Sequence, residues 1–408
     1  MKYIVRITDN GPLSFRAGRG TTSGISLDYV PGSTLLGGLA AAHQTLRHDA
    51  GEFERFFFSA DSLFNNLYPS SFDNEDLQGE TDPVFPLPTT ALTCKRFKGF
   101  RSDEEDAAGD PHHGVYDSLI TWALFALSGE MRLDVFDGLR KCPHEGCQAP
   151  LDAFTGFIRR ETLAGEVWGK AKVARGLRTR TGINRATGTV QREILYSREL
   201  IGPGTTFWGT LSVLDDPQGS VASFVEEANT SDLLRLGNNR TRGFGRVRLQ
   251  LRESVATTEE QTLQEQIENF NRALRQKAEV QGIATPHQFY LPLTLTSDAI
   301  LYDNLLRYRT ALTSDYLAEV WNIPGAELLY QNSRTKRVMG WNDLWRLPKQ
   351  DDVAITMGSV FLFGLSTPLP DVISTLLQMQ QAGIGHRRRE GFGQLQVAMP
   401  FHWEVQGQ

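Results

Sequence analysis

The sequence contains no run of about 18 apolar residues and so offers no membrane-spanning helix. Cysteine is scarce, with three in 408 residues. A small, odd number excludes a secreted disulfide scaffold and points to a reducing, cytoplasmic setting. The opening Met-Lys-Tyr-Ile-Val lacks the anatomy of a signal peptide and reads as a strand. No Walker-type phosphate loop, Ser-His-Asp pattern or metal-catalysis signature is visible. An excess of basic residues is missing too, the formal net charge being −6. With 40% hydrophobic and 22% charged residues, the chain is of ordinary globular composition and long enough for two or three domains.

The net charge hides its distribution. Ile158 to Leu200 holds ten Arg/Lys against four Glu, and Arg235 to Arg252 holds six Arg and no acid. The acids collect elsewhere, from Asp73 to Asp82 and from Asp103 to Asp110. Local clusters, not the sum, make an electrostatic footprint. A twelve-residue pattern then occurs twice, 148 residues apart: Gly237 to Arg248 and Gly385 to Gln396. Arg240 matches Arg388, and Gly243-Phe244-Gly245 matches Gly391-Phe392-Gly393, each ahead of an alternating apolar run. Glycine permits positive φ and close backbone approach, so such a loop can turn amides and arginines toward an anion. Two copies imply two related modules, and the anion expected to need both is a nucleic-acid backbone. Phe244 and Phe392 each precede an apolar strand and are expected to face the core.

The remaining pattern fits an α+β chain of two modules. Lys2 to Thr8 alternates as a strand, and Ser33 suits the N-cap of a small-residue helix over Thr34 to Arg47. Residues 65–155 read as a loop-rich insertion without an obvious core, and 158–200 as a basic hairpin turning at Asn184 to Gly188. Ser220 to Asn229 reads as a helix, and the strand from Val247 closes a first module over residues 1–252. Thr257 to Gly282 has capping-box spacing at Thr257 and Glu260 and an apolar face of Leu263, Ile267, Phe270 and Leu274; it reads as the helical connector within 253–285. A second module, 286–408, opens with the strand Phe289 to Thr296 and carries a helix over Asp371 to Gln381 just before its own glycine loop.

Two further constellations stand out. In the hairpin, Arg178 and Arg180 alternate and so share one strand face, with Arg175, Asn184, Arg185 and Arg192 around them. All three cysteines fall in the insertion. Cys142 and Cys147 have C-x₄-C spacing, Cys94 could add a third thiolate, and His113, His112 or His144 a fourth ligand, so a structural zinc is one reading and three free thiols the other.

The two glycine loops of the form Gly-x-x-Arg-x-x-Gly-Phe-Gly, together with Val30-Pro-Gly-Ser-Thr-Leu-Leu-Gly37, resemble the RAMP superfamily of CRISPR-associated proteins. The tandem modules, basic hairpin and length are most similar to the large two-module RAMP subunit of type III-D CRISPR effector complexes. That resemblance implies two tandem ferredoxin-like folds that bind guide RNA and its target RNA beside other effector subunits. It implies RNA contacts from Arg240, Arg242, Gly243 and Gly245, from Arg387, Arg388, Arg389, Gly391 and Gly393, from Arg16 and Arg19, and from the protruding hairpin. Target-cleaving relatives carry an aspartate between the first strand and first helix. Leu13 to Leu27 is acid-free here, and Asp28 comes late, so a non-catalytic RNA-binding role is expected. Two alternatives stand beside it: a guide-processing endoribonuclease using His43 as general base, and a scaffold that meets only proteins.

Overall fold

The computed structural model describes residues 1–16, 24–59, 62–70, 84–101, 112–129, 140–161, 167–171, 173–184, 186–213, 216, 219–254, 259–342 and 347–406, with backbone alone at 161, 167, 191–194 and 341–342. Arg19, Arg185, Thr257, the acidic runs Asp73 to Asp82 and Asp103 to Asp110, and the side chain of Arg192 lie outside the described residues.

The first half runs β1 (Lys2–Asp9), α1 (Gly32–Leu46), α2 (Ala50–Phe57), β2 (Leu63–Phe64), β3 (Tyr68–Ser70), the hairpin β4 (Arg175–Ile183) and β5 (Val190–Ile201), β6 (Thr206–Ser212), α3 (Ser220–Thr230) and β7 (Val247–Glu253). After α4 (Glu259–Gln281) come β8 (Phe289–Leu295), α5 (Ser314–Trp321), β9 (Ala326–Asn332), β10 (Val360–Leu365), α6 (Leu369–Ala382) and β11 (Leu395–Val397). The first sheet is ordered β7-β1-β6-β2, with β3 also on β6; the second is ordered β11-β8-β10-β9. Each is antiparallel, and each runs last strand, first, third, second, with one helix stage after the first strand and another after the third. Ile7 sits between Phe207 and Leu249, and Leu293 between Phe361 and Val397.

Burial follows the apolar pattern. The alternation of Tyr3, Val5 and Ile7 turns one face of β1 onto Leu35 and Leu39 of α1 and Phe224 of α3. Burying a side chain of this size contributes roughly 1.5–3 kcal/mol. Helix α1 begins two residues earlier than its composition suggests. Ser33 is not the cap: Pro31 precedes the helix, and the free Gly32 N–H donates to Asn66 Oδ1 at 2.9 Å. In β8 all seven residues are buried, because α4 covers the face turned away from α5 and α6. Strand β11 pairs only with Leu293 to Leu295. The side-chain amide of Asn271 on α4 replaces the missing ladder at Tyr290, bonding its N–H at 2.7 Å and its carbonyl at 2.9 Å.

The insertion does have a core, contrary to its sequence reading. Leu87, Phe100, Val115, Phe154, Ile158 and Trp168 pack around Met399, Phe401 and Val405 from the end of the chain. The pattern was illegible because Met399, Phe401 and Val405, which complete that core, lie more than 200 residues away. Part of the expected hairpin also belongs here: Phe157–Glu161 and Val167–Ala171 pair in a sheet with Phe85–Pro86, so the hairpin itself starts at Arg175. A buried polar chain pins the insertion to the second sheet. His402 is fully buried, with Nε2 2.7 Å from Thr294 Oγ1 and Nδ1 3.1 Å from Asp117 Oδ2, and Thr90 donates to the same carboxylate oxygen at 2.7 Å. Among the described residues no helix is long and apolar enough to cross a membrane.

Candidate nucleic-acid interface and metal-ligand cluster

The two glycine loops share one backbone. Gly237, Asn239, Gly243 and Gly245 have φ of 80°, 59°, 80° and 87°; Gly385, Arg387, Gly391 and Gly393 have 73°, 57°, 89° and 76°. Each loop carries one 3₁₀ turn, Arg240–Arg242 and Arg388–Glu390. The glycines serve close packing: a Cβ on Gly245 would overlap the Leu236 carbonyl, and one on Gly393 the matched Ile384 carbonyl. The amides point inward. Gly245 N–H donates to Pro12 O at 3.1 Å and Asn238 N–H to Ser14 O at 2.9 Å; Gly393 N–H donates to Asp298 O at 2.7 Å and His386 N–H to Ile300 O at 2.9 Å. The Gly245 and Gly393 amides thus bond inside the fold, and those of Gly243 and Gly391 turn back onto Arg240 O at 3.4 Å and Arg388 O at 2.9 Å. These peptide groups shape the loop, and side chains are the groups it offers outward.

Around the first loop the side chains supply such groups. In the β4–β5 hairpin Arg178 stands directly opposite Arg198, and Arg180 opposite Tyr196. Arg178 and Arg180 lie over the Phe244 ring, 5.6 and 5.3 Å from its centroid, and Arg198 lies 5.7 Å from that of Tyr196. Arg242 donates to the Tyr196 hydroxyl at 3.2 Å and Arg198 to Asn239 Oδ1 at 3.4 Å. Phe244 is buried, as expected from the strand it precedes, while Arg240 and Arg242 are exposed. Four guanidiniums thus gather on two rings, and the acceptors they find among the described residues are neutral. Like charges directly opposite on a sheet are destabilising, and cation–π contacts of about 0.5–1 kcal/mol at exposed sites only offset this. Arg198 and Tyr196 escaped sequence reading. A turn over Asn184 to Gly188 would put residue 178 across from 194; the bulge between Thr181 and Ile183 shifts the register so that Arg198 faces Arg178.

Other expected contacts are occupied within the chain. Arg175 pairs with Asp28 and, at 3.8 Å, with Glu199, so it braces the hairpin root. The Asn184 side chain accepts from the Ala186 and Thr187 amides and closes the turn. Arg16 is exposed and bridges Ser26 near that root. The second loop differs most. Glu390 stands where the first loop has Arg242. Arg387 forms ion pairs with Asp352 at 2.8 Å and Glu390 at 2.7 Å, and Lys349 reaches Glu390 at 3.0 Å. Burial pushes the Glu390 carboxyl up, but the hydrogen bonds and charges of Arg387 and Lys349 outweigh it and hold the carboxyl below its usual range. Arg388 donates to the Ala382 carbonyl at 3.5 Å; Arg389 donates to the Phe58 carbonyl at 2.9 Å and lies over that ring. Gly391 packs on Phe64 and Asn66 beside Gly32. The second loop thus packs as an internal joint between the two sheets, with Arg387 held in ion pairs and Arg388 and Arg389 half-buried against carbonyl groups.

His43 is corrected as a candidate base. It is fully buried, its Nε2 2.8 Å from Glu52 Oε2, with the rings of Phe53, Phe56, Phe57 and Phe224 within 6 Å. No RNA hydroxyl can come within hydrogen-bond reach of it.

The cysteines do converge. Cys94, Cys142, Cys147 and His113 bring their ligand atoms within 4.8 Å of one another. Cys94 Sγ lies 3.8 Å from Cys147 Sγ, and His113 Nδ1 lies 3.3 Å from Cys142 Sγ. A tetrahedron with metal–sulfur bonds of about 2.3 Å and metal–nitrogen bonds of about 2.0 Å has edges of about 3.8 and 3.5 Å. A disulfide of about 2.05 Å is a different geometry. The Phe97 amide donates to Cys94 Sγ at 3.4 Å, and left-handed Gly146 turns the chain back to Cys147. Burial pushes the Cys142 thiol up to about 11, so a neighbouring cation is what would favour its thiolate. Burial, His144 and nearby arginines push His113 down, leaving a neutral imidazole with a free lone pair. Cys94, Cys142 and His113 are buried and Cys147 half-buried. The donor set fits a tetrahedral, thiophilic ion. Of the three histidines open as fourth ligand, His113 takes the position; His144 stacks on it at 3.9 Å.

Comparison with known proteins gives the family. No curated protein matches the chain. Among solved structures, a chain in the cryo-EM structure of the type III-B Cmr-beta bound to cognate target RNA shares 12% identity at a TM-score of 0.41, covering 88% of this chain and 86% of that one. A chain of Cmr-beta bound to target RNA and AMPPnP shares 13% at a TM-score of 0.36 over the same shares of the two chains. Residues 20–248 match the model of the RAMP superfamily. That match spans more than half of the sequence, and the chain belongs to the RAMP superfamily.

Proposed function

We propose that this chain is a non-catalytic, guide-RNA-binding structural subunit of a type III CRISPR ribonucleoprotein that targets RNA, most similar to the large two-module subunit of type III-D complexes. Residues 1–252 and 286–408 form tandem ferredoxin-like modules joined by the helical stretch 253–285; the matching strand orders support this division. Its partners are guide RNA, target RNA and neighbouring effector subunits, in the cytoplasm. A structural zinc held by Cys94, His113, Cys142 and Cys147 staples the insertion, and the tetrahedral spacing of the donors supports it.

One observation carries the reading: Arg178, Arg180, Arg198 and Arg242 crowd one hairpin face above the first glycine loop, with Arg178 and Arg198 directly opposed. A folded protein gains nothing from such crowding, whereas a phosphate chain laid across it releases counterions and gains charge-assisted hydrogen bonds. Contacts to phosphate carry no base code, so the sequence is left to pairing between guide and target. The acid-free stretch Leu13 to Leu27 and the burial of His43 support a role in holding RNA without cutting it. The test is incubation of the purified protein with labelled repeat RNA, followed by native and denaturing gels. Binding without cleavage is expected. Cleavage that persists through added chelator and nuclease controls would overturn the non-catalytic reading, and absence of binding at low salt would overturn RNA binding itself.

A further inference from the structure

The metal-ligand cluster has a surface that stapling the insertion does not account for. The segments that carry its ligands also carry exposed cations: Lys95 and Arg96 follow Cys94, and Arg140 and Lys141 precede Cys142. They are neighbours in space, because the Lys95 amide donates to Pro150 O at 3.0 Å and Lys141 bridges the same Pro150. Three thiolates and one neutral imidazole around a divalent ion leave a single negative charge. One adjacent cation, such as the exposed Arg96 two residues after Cys94, offsets that. The other cations remain unexplained. Aromatic faces accompany them. Arg96 lies 5.2 Å from the Phe97 centroid, Phe97 4.3 Å from His113, and His113 3.9 Å from His144 with the planes 7° apart. This column ends at His144, which is exposed. Cations beside stacked, outward-facing rings are the chemistry that holds single-stranded nucleic acid, where backbone charge and base stacking act together.

We propose that the Cys94–His113–Cys142–Cys147 knuckle is a second, independent contact for single-stranded RNA, made by Lys95, Arg96 and Lys141 on phosphates and by His144 as a stacking face. It goes beyond the hairpin site, and the two sites fail separately.

The test uses the full chain, loaded with zinc, and a fluorescein-labelled, unstructured single-stranded RNA. Anisotropy titrations at several salt concentrations compare the wild type, the triple variant Lys95→Gln/Arg96→Gln/Lys141→Gln, and the hairpin variant Arg178→Ala/Arg198→Ala. The knuckle variant should lower the slope of log affinity against log salt by about 2, at about 0.7 for each lost single-strand contact. Its zinc content and unfolding midpoint should match the wild type. His144→Ala should weaken binding severalfold without changing the slope. Photo-crosslinking of thiouridine-substituted RNA to the wild type should label residues 94–101 or 140–147, which keeps the test open should the triple variant misfold. An unchanged slope together with no crosslink in these segments overturns the proposal, as does loss of binding to another protein with RNA binding intact. If the hairpin variant binds RNA normally while the knuckle variant does not, the hairpin reading falls and this one stands.

Discussion

The matched glycine loops invite a paired perturbation, Arg198→Ala beside the first loop and Arg387→Ala in the second. Arg198 sits opposite Arg178 and touches the Tyr196 ring. Its removal relieves a like-charge pair and loses a cation–π contact, two effects of opposite sign and about 0.2–1 kcal/mol each. Net stability should therefore stay within about 0.5 kcal/mol of wild type. RNA binding should fall about tenfold, the lower end of the range for a hydrogen bond to a charged group, and equally for RNAs of unrelated sequence. Arg387 behaves oppositely. Its side chain is 20% exposed, between Asp352 at 12% and Glu390 at 17%. Truncation strands the mostly buried Asp352 and leaves Glu390 with Lys349 alone, at a cost of about 2–4 kcal/mol, and leaves RNA affinity in the folded protein unchanged. Chemical denaturation gives the stabilities and fluorescence anisotropy the affinities. The reasoning fails if Arg198→Ala destabilises as much as Arg387→Ala, or if Arg387→Ala weakens RNA binding in protein that remains folded.

Glycine substitutions should separate the loops in the same way. Gly243→Ala meets open space and carries only the left-handed backbone cost of about 1 kcal/mol, whereas Gly391→Ala also drives a methyl against Phe64 and Asn66 and should cost several times more in a thermal melt. The depressed Glu390 carboxyl contributes stability that is complete above the ordinary glutamate pKa of about 4.3 and is lost as pH falls through its lower folded value; Glu390→Gln should flatten that acid limb in pH-dependent denaturation. His43→Ala should cost about 2–4 kcal/mol, from the cavity left among four phenylalanines and the loss of one of the two partners of Glu52, Arg47 remaining at 2.8 Å, and any RNA-binding loss should track unfolded protein alone. Metal analysis of protein purified without chelator should find one zinc per chain, and chelation should lower the unfolding temperature; absence of metal with three rapidly labelled thiols would refute the staple.

Local chemistry was legible without coordinates. The glycine repeat carries its backbone in its spelling, because left-handed residues at matched positions leave few other turns available, and the two loops agree to within about 15° in φ at their four left-handed positions. The apolar spacing of α4 and the alternation of β1 marked their buried faces, since helix and strand periods are local properties. Three cysteines and three alternative histidines could be picked from composition and spacing, although which histidine completes the set could not. What each loop meets was decided only in three dimensions. Identical backbones present exposed arginines in one copy and an ion-paired joint in the other, because Asp352, Lys349, Phe58 and Asn66 come from distant segments. The same holds for His43, whose small-residue helix does not reveal that Phe53, Phe56, Phe57 and Phe224 close over it. It holds too for the insertion, whose core is completed by Met399, Phe401 and Val405. Periodicity sets how a segment folds, while burial and charge pairing depend on contacts between segments far apart in the chain, and those contacts decide which arginines stay exposed.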